Sequence, residues 1–311
     1  MTKKASAPAK IILFGEHAVV YEQPAIAVPI SSVRATATIQ ANEEPGLHIN
    51  ALDLNRKFPV NLERTVVDDA LTTLARLTLQ KLEINPPNAT IAIKSDIPMA
   101  SGLGSGAAAS ACLARAIAMA SEVPIDLGTL NNIVYEVEKI YHNTPSGIDN
   151  TVVVYEKAVY FVRNQPIETL TIGRPFTVVV GDTGKTALTK ITVDDVRTLF
   201  NANPDEIQVV FDAIGQISRA ARRAIENGDI EALGPLMTTN HEYLQKLTVS
   251  SPELDELVHA AMKSGALGAK LSGGGRGGNM IALVRPGNDP ETTKRALLDA
   301  GATRVFVSNI D

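Results

Sequence analysis

The chain has 311 residues, 34 acidic against 29 basic, for a net charge of −5, with 45% hydrophobic and 20% charged residues. A chain of this size can bury a substantial core as one large or two medium domains, and its acidic balance speaks against a general binder of nucleic acid or other polyanions. A single cysteine, Cys112, excludes an internal disulfide and a multi-thiol zinc site, and the lack of tryptophan argues against stacking on single-stranded nucleic acid.

The N-terminal Met1-Thr2-Lys3-Lys4 lacks the apolar stretch of a signal peptide, and no apolar run approaches the ~20 residues of a membrane span. A cytoplasmic protein without a membrane partner is expected. Residues 10–14 form an apolar run ending at Gly15. Residues 33–40 alternate with period two, Val33, Ala35, Ala37 and Ile39 on one face, which predicts a strand. Residues 65–82 place Val67, Ala70, Leu71, Leu74 and Leu77 at helical spacing. A strand is expected over 89–97, a glycine-rich turn over 98–108, and a helix from 107 to about 121. A second helix spans 127–141 and stops before Pro145. Residues 151–155 and 158–162 read as a strand pair joined by Glu156-Lys157, and 176–180 as a buried strand. Helical periodicity then dominates over 204–227, 229–247 and 252–264, punctuated by Gly228 and Ser250-Ser251-Pro252. A strand at 279–284, a helix at 290–300 and a strand at 303–307 close the chain as β-α-β. The layout predicts an α+β protein with a cleft between two lobes: a strand-rich domain over 1–160, a helix-rich one over 161–311, and a boundary within 160–190.

The turn Pro98-Met99-Ala100-Ser101-Gly102-Leu103-Gly104-Ser105-Gly106-Ala107-Ala108 joins a strand to a helix. Glycines let the backbone approach a ligand, free N–H groups point at it, and the helix dipole favours negative charge, so a nucleotide phosphate is the expected anion. The plain alternative is a turn that only lets the helix pack closely. Gly181-Asp182-Thr183-Gly184-Lys185-Thr186 mimics a Walker loop, but two residues between its glycines are too few. Glycines at 102, 104 and 106, followed by no strand with a terminal acid, do not fit a dinucleotide fingerprint.

Three more segments stand out: Lys10 opening an apolar strand that leads into Gly15-Glu16-His17-Ala18-Val19-Val20-Tyr21; Glu138 followed by His142-Asn143-Thr144-Pro145-Ser146-Gly147-Ile148-Asp149-Asn150; and Lys270-Leu271-Ser272-Gly273-Gly274-Gly275-Arg276-Gly277-Gly278. With the 98–108 turn they resemble, in order and spacing, the signature motifs of the GHMP kinase superfamily. The opening and the 142–150 segment are similar to the mevalonate kinase family within it. That resemblance implies a two-lobed kinase that uses ATP and Mg²⁺ to phosphorylate the 5-hydroxyl of mevalonate, with homodimers common in the family. It implies Asp149 as the group that accepts or orients the hydroxyl proton, and Lys10 as the neighbouring cation that steadies the carboxylate and the developing alkoxide. Glu138 is implied as a magnesium ligand; it lies in the last turn of its helix, where negative charge is disfavoured. Glu16, His17 and Thr189 are implied near the substrate. Pro98, Ser101, Gly102, Leu103, Gly104, Ser105, Gly106, Ala107 and Ala108, with Gly274 and Gly275, are implied around ATP.

Three departures from the pattern matter. Gly106 stands where relatives carry a serine that ligates magnesium; Ser105 takes its place, or a water does, or Glu138 holds the ion with ATP alone. Asn143 replaces a common glycine, which asparagine's tolerance of left-handed angles makes mild. Arg276 interrupts a run of small residues and is expected to add a cation near the phosphates. Other readings are a kinase acting on phosphomevalonate or at the 3-hydroxyl, and a non-catalytic nucleotide-binding regulator.

Overall fold

The computed structural model describes residues 3–42, 45–61, 70–99, 101–141, 145–186 and 189–311. The start of the helix expected at 65–82, the turn residue Ala100 and the reading of Asn143 lie outside the described residues. In chain order the elements are β1 (Lys3–Phe14), β2 (Ala25–Ala41), β3 (Leu47–Ala51), β4 (Arg56–Pro59), α1 (Ala70–Lys81), β5 (Ala89–Ser95), α2 (Ser105–Ala120), α3 (Leu127–Tyr141), α4 (Ile148–Tyr155), β6 (Val159–Phe161) and β7 (Glu168–Thr169). There follow β8 (Phe176–Asp182), α5 (Thr189–Ala202), α6 (Pro204–Asn227), α7 (Ile230–Lys246), α8 (Pro252–Lys263), β9 (Gly268–Ser272), β10 (Asn279–Leu283), α9 (Pro290–Asp299) and β11 (Arg304–Ile310). The chain is an α+β protein, and among the described residues no helix is long and apolar enough to cross a membrane.

These elements form two compact units, each assembled from separate stretches. The first comprises Met1–Ala9, Val33–Met99 and Gly104–Glu156. In it β5 pairs antiparallel with the second half of β2, setting Ile91 opposite Ile39 and Ile93 opposite Ala37. On its other edge β5 pairs parallel with β3, which pairs antiparallel with β4. Helices α1 to α4 pack together, and α2 also packs on β5. Most of the buried residues of α2 are small, Ala107, Ala108, Ala111, Cys112, Ala114 and Ala118 beside the larger Leu113 and Ile117; small side chains let neighbouring helices approach closely. Cys112 is one of them, and burial pushes its thiol up to about 12, so it is a small inert hydrophobe. Arg115 on α2 donates to the carbonyls of Ser6 and Val154 and pairs with Glu156 at 3.0 Å. A cation is thereby set where α4 ends, which its dipole favours.

The expected strand at 151–155 is instead helix α4. A short apolar run such as Val152-Val153-Val154 does not distinguish a strand from a buried helix by periodicity, and all three valines are buried here. Local chemistry favours the helix: Gly147 sits at φ 86°, the left-handed geometry that glycine adopts freely, and Asp149 occupies the favoured acidic position in the first turn. The partner expected at 158–162 is present as β6, paired to residues 25–27 of β2 and to β7.

The second unit comprises Lys10–Ser32, Ala100–Leu103 and Lys157–Asp311. Its antiparallel sheet runs β11-β8-β10-β9. Strands β10 and β11 flank β8, both antiparallel to it, so the closing β-α-β has a strand inserted between its own two. Helices α7 and α8 pack on β9, and α9 on β8 and β11. Helix α7 approaches β9 backbone to backbone: a Cβ on Gly268 would stand 2.1 Å from the Gly234 carbonyl oxygen. Helix α6 starts with Pro204 and two acids in its first turn and stops at Gly228 in left-handed geometry, as expected. Its Phe211, fully buried, stacks on Tyr21 at 4.1 Å and contributes about 1.5–3 kcal/mol by burial.

Candidate active site

The 98–108 turn delivers a bare helix end. Gly104 precedes α2 at φ 72° and makes no side-chain cap, so no N-cap side chain consumes the first N–H groups of the helix. Gly102 is also at positive φ, 83°, with open space where a Cβ would stand. Leu103 is buried and its carbonyl accepts from the Lys10 N–H at 3.0 Å.

In the first unit, Ser105, Gly106, Ala107 and Ala108 form the first turn of α2. Glu138, 8% exposed, reaches toward this turn from α3. A Cβ on Gly106 would stand 3.4 Å from Glu138 Oε1 and, among the described residues, within 4 Å of no other atom outside its own helix and chain neighbours. The residue that departs from the family pattern therefore borders the glutamate implied as metal ligand. Asp149 lies half-buried at the N-terminal turn of α4, and that helix is tied to α3 by Asn150 Nδ2 donating to Asn131 Oδ1 at 2.8 Å. Pro98 precedes the turn in this unit.

The second unit gathers the other candidates. Lys10 is 4% exposed within β1. Beyond β1, Gly15 turns the chain at φ 95°, where a Cβ would lie 2.4 Å from the Pro24 carbonyl oxygen, so only glycine fits. His17 is itself at φ 60°. Its Nε2 lies 3.0 Å from the Gly274 carbonyl oxygen. Since a carbonyl only accepts, Nε2 carries the ring proton and Nδ1 is left as an acceptor. Burial, with the charges of Arg276 and Lys270, lowers the imidazole to about 4 against the pull of that hydrogen bond, so the ring is neutral at physiological pH. Thr189 begins α5 with its Oγ1 2.9 Å from where a Cβ on Gly274 would stand. Gly275, at φ 77°, presses on the Val249 carbonyl, which accepts from the Arg276 N–H at 2.7 Å. The far end of the run meets the phosphate turn: Asn279 Nδ2 donates to the Ser101 carbonyl at 2.6 Å. The Walker-like segment serves this run as scaffold, Thr183 donating through both its N–H and its hydroxyl to the Gly278 carbonyl.

Glu16 is fully buried and pairs with Lys270, whose Nζ also donates to the Leu271 carbonyl at 2.6 Å. Burial pushes the Glu16 carboxyl up and the Lys270 amine down, and each charge opposes the other's shift. Lys270 is the residue that motif reading left without a role. Its signal is a lone lysine inside the otherwise apolar run 266–271, a place where a charge survives only with a partner. Arg276 donates to the Thr248 carbonyl at 3.1 Å and pairs with Asp195 on α5, so its guanidinium is engaged within the protein.

Comparison with known proteins places the chain in a family. The profile of the GHMP kinases N terminal domain matches residues 67–157, and that of the GHMP kinases C terminal matches residues 221–303. The mevalonate kinase of Pyrococcus horikoshii is 32% identical over 316 residues, covering 96% of this chain and 92% of that one. That of Pyrococcus furiosus is 34% identical, covering 96% and 93%. Among solved structures, L. major mevalonate kinase in complex with R-mevalonate superposes with a TM-score of 0.87 at 27% identity, covering all of this chain and 96% of that one. Methanococcus jannaschii mevalonate kinase gives 0.84 at 29% identity, covering 99% and 98%. The chain belongs to the GHMP kinases and, within them, to the mevalonate kinase family.

Proposed function

We propose that this protein transfers the γ-phosphoryl group of ATP to the 5-hydroxyl of mevalonate, as a cytoplasmic enzyme whose N- and C-terminal sequence domains divide near residue 160. The observation that carries the reading is similarity to mevalonate kinases at 32–34% identity over more than nine-tenths of both chains. The uncapped start of α2 supports it, because N–H groups and a positive helix end suit a polyphosphate. Phosphoryl transfer needs little covalent chemistry from the protein; positioning and charge stabilisation dominate. Asp149 accepts the proton of the attacking hydroxyl, and Lys10 offsets the charge that develops on its oxygen. His17, neutral and with Nδ1 as acceptor, receives a hydrogen bond from a substrate hydroxyl, with Glu16 behind it and Thr189 beside the glycine run.

Among the described residues no cluster of three or more His, Cys, Asp or Glu could hold a metal ion alone. A single carboxylate completed by nucleotide phosphates and water suits Mg²⁺, which keeps several waters and demands hard oxygen ligands. Glu138 is that carboxylate, with Ser105 one position before the open side of Gly106. Held by Glu138, Mg²⁺ would supply positive charge that offsets the negative charge of the nucleotide phosphates.

The test is ADP release from Mg-ATP with mevalonate, the product identified by phosphorus NMR. Mevalonate 5-phosphate is expected, and Asp149→Asn should abolish turnover while nucleotide binding survives. Release of ADP with phosphomevalonate but not mevalonate would overturn the substrate, and near-parental turnover of Asp149→Asn would overturn the base.

A further inference from the structure

The pair Lys270–Glu16 has no evident reason to exist as a stability device. Both side chains are fully shielded from water, and withdrawing two charges costs several kcal/mol per ion, so apolar replacements of such pairs are often neutral or stabilising. Its place in the fold accounts for it better. Glu16 is the middle residue of a turn with positive φ on both sides, Gly15 at 95°, which glycine adopts freely, and His17 at 60°, which costs a residue with a side chain. Non-glycine residues persist there only when their surroundings over-determine them. Lys270 sits in β9, three residues before the glycine run begins at Gly273. The same strand is bound to β1 by Ser272 Oγ donating to the Ile12 carbonyl at 2.7 Å. On its far side Leu271 N–H donates to His241 Nδ1 at 3.3 Å. The turn is thus anchored to the strand that leads into the run, and His17 closes the circuit through the Gly274 carbonyl.

We propose that Lys270 and Glu16 are positioning residues, an internal strut that fixes the 15–17 turn against the 273–278 run and so sets where His17 stands. The strut acts through His17 and Gly274 and touches neither substrate nor nucleotide. Glu16 Oε2, buried without a hydrogen-bond partner among the described residues, fits this role: one oxygen bears the tether and the other is sealed away. The consequence for turnover rests on the function proposed above, whereas the consequence for His17 does not.

Two variants separate positioning from scaffolding. Glu16→Gln keeps an acceptor for the Lys270 ammonium and hence the strut's length. The double variant Glu16→Gln/Lys270→Met removes the strut and leaves no unpaired charge. In the parent, the His17 imidazole N–H should appear by NMR as a slowly exchanging proton, assigned by its loss in His17→Asn. Glu16→Gln, which still accepts from the Lys270 ammonium, should keep that signal. The double variant should melt within a few degrees of the parent, lose the protected imidazole signal, and fall about 100-fold in kcat/KM for mevalonate, the scale of a displacement near 1 Å at a reacting site. A double variant that keeps both the signal and a near-parental kcat/KM would overturn the proposal. So would one that fails to fold while Glu16→Gln folds, since the pair would then belong to the scaffold. If the parent itself does not phosphorylate mevalonate, the proposed substrate falls, and the imidazole signal still decides the strut.

Discussion

His17 makes a pH dependence that can be isolated. The side chain is 6% exposed, and burial lowers its imidazole from 6.5 to about 4. The folded state therefore resists a proton that the unfolded chain accepts. Between those two values the unfolded state binds more protons, so stability is fully present above pH 6.5 and is lost as the pH falls toward 4. At ~1.4 kcal/mol for each pH unit between the two values, the loss amounts to roughly 3 kcal/mol. Asparagine is the replacement of choice, because it tolerates the positive φ that residue 17 requires and does not titrate. Near pH 7 His17→Asn should be less stable than the parent, having lost the Gly274 hydrogen bond, and the gap should close as the pH falls. The test is the slope. His241, also lowered by burial, and every carboxylate act in both proteins, so their contributions cancel in the difference. Thermal unfolding measured from pH 7 to pH 4 should show the parent's midpoint falling about 6 °C further than the variant's, at ~2 °C per kcal/mol for a chain of this length. Parallel curves would refute the reasoning: the imidazole would then take up its proton in the folded protein as readily as in the unfolded chain, and burial would not be what keeps it neutral.

Three further substitutions probe the glycines. Gly106→Ser places a hydroxyl beside Glu138 Oε1 in space that is open; it should add about 0.5 kcal/mol of stability through helix propensity. It should also tighten Mn²⁺ binding to the protein–nucleotide complex on the order of fivefold, about 1 kcal/mol for one added polar contact to a charged group, read by electron paramagnetic resonance. Gly275→Ala and Gly273→Ala differ by surroundings alone. Both residues are at positive φ, 77° and 87°, but a Cβ on Gly275 would stand 1.9 Å from the Val249 carbonyl oxygen while one on Gly273 meets nothing. Urea unfolding should show a loss of ~1–2 kcal/mol for Gly273→Ala from the left-handed backbone alone, and at least ~3 kcal/mol for Gly275→Ala, where the hydrogen bond at Val249 is disturbed as well.

The elements legible in the sequence are those whose local signals agree with their final surroundings. Helix α6 is bracketed by Pro204 and Gly228 and reads correctly to the residue. The long strand β2 is half legible. Its alternating part from Val33 pairs with β5, whereas residues 25–32 carry Pro29, which reads as a break in a strand. Pro29 is accommodated between the stretch that pairs with β6 and the stretch that pairs with β5. Helix α5 was not foreseen: of its fourteen residues only Thr192 and Val196 are buried, and two buried positions make too faint a stripe to mark a helix. Strands β3, β4 and β7 are short and lie among polar residues, so tertiary pairing rather than local pattern defines them. Helix α4 failed in the opposite direction, its β-branched run overruled by Gly147 and by burial on every side.

The candidate site was read through the family resemblance, and some of its residues carry a local signal besides. Those residues break local folding rules: Lys10 and Lys270 are cations inside apolar strands, Glu138 is an acid at the wrong end of a helix, and the 273–278 run holds more glycine than a turn requires. Such violations raise the free energy of the fold, so each marks a place where something other than folding set the residue. Arg276 shows the limit of that inference. It too interrupts a pattern, and the expectation for it is a cation near the phosphates. In the structure its guanidinium serves Asp195 and the Thr248 carbonyl, and its own N–H serves Val249. A violation in sequence locates strain but does not name the group that relieves it. For a carboxylate or a buried lysine the choice of partners is narrow. An exposed arginine can be satisfied by any nearby oxygen, and in this loop the protein itself supplies it.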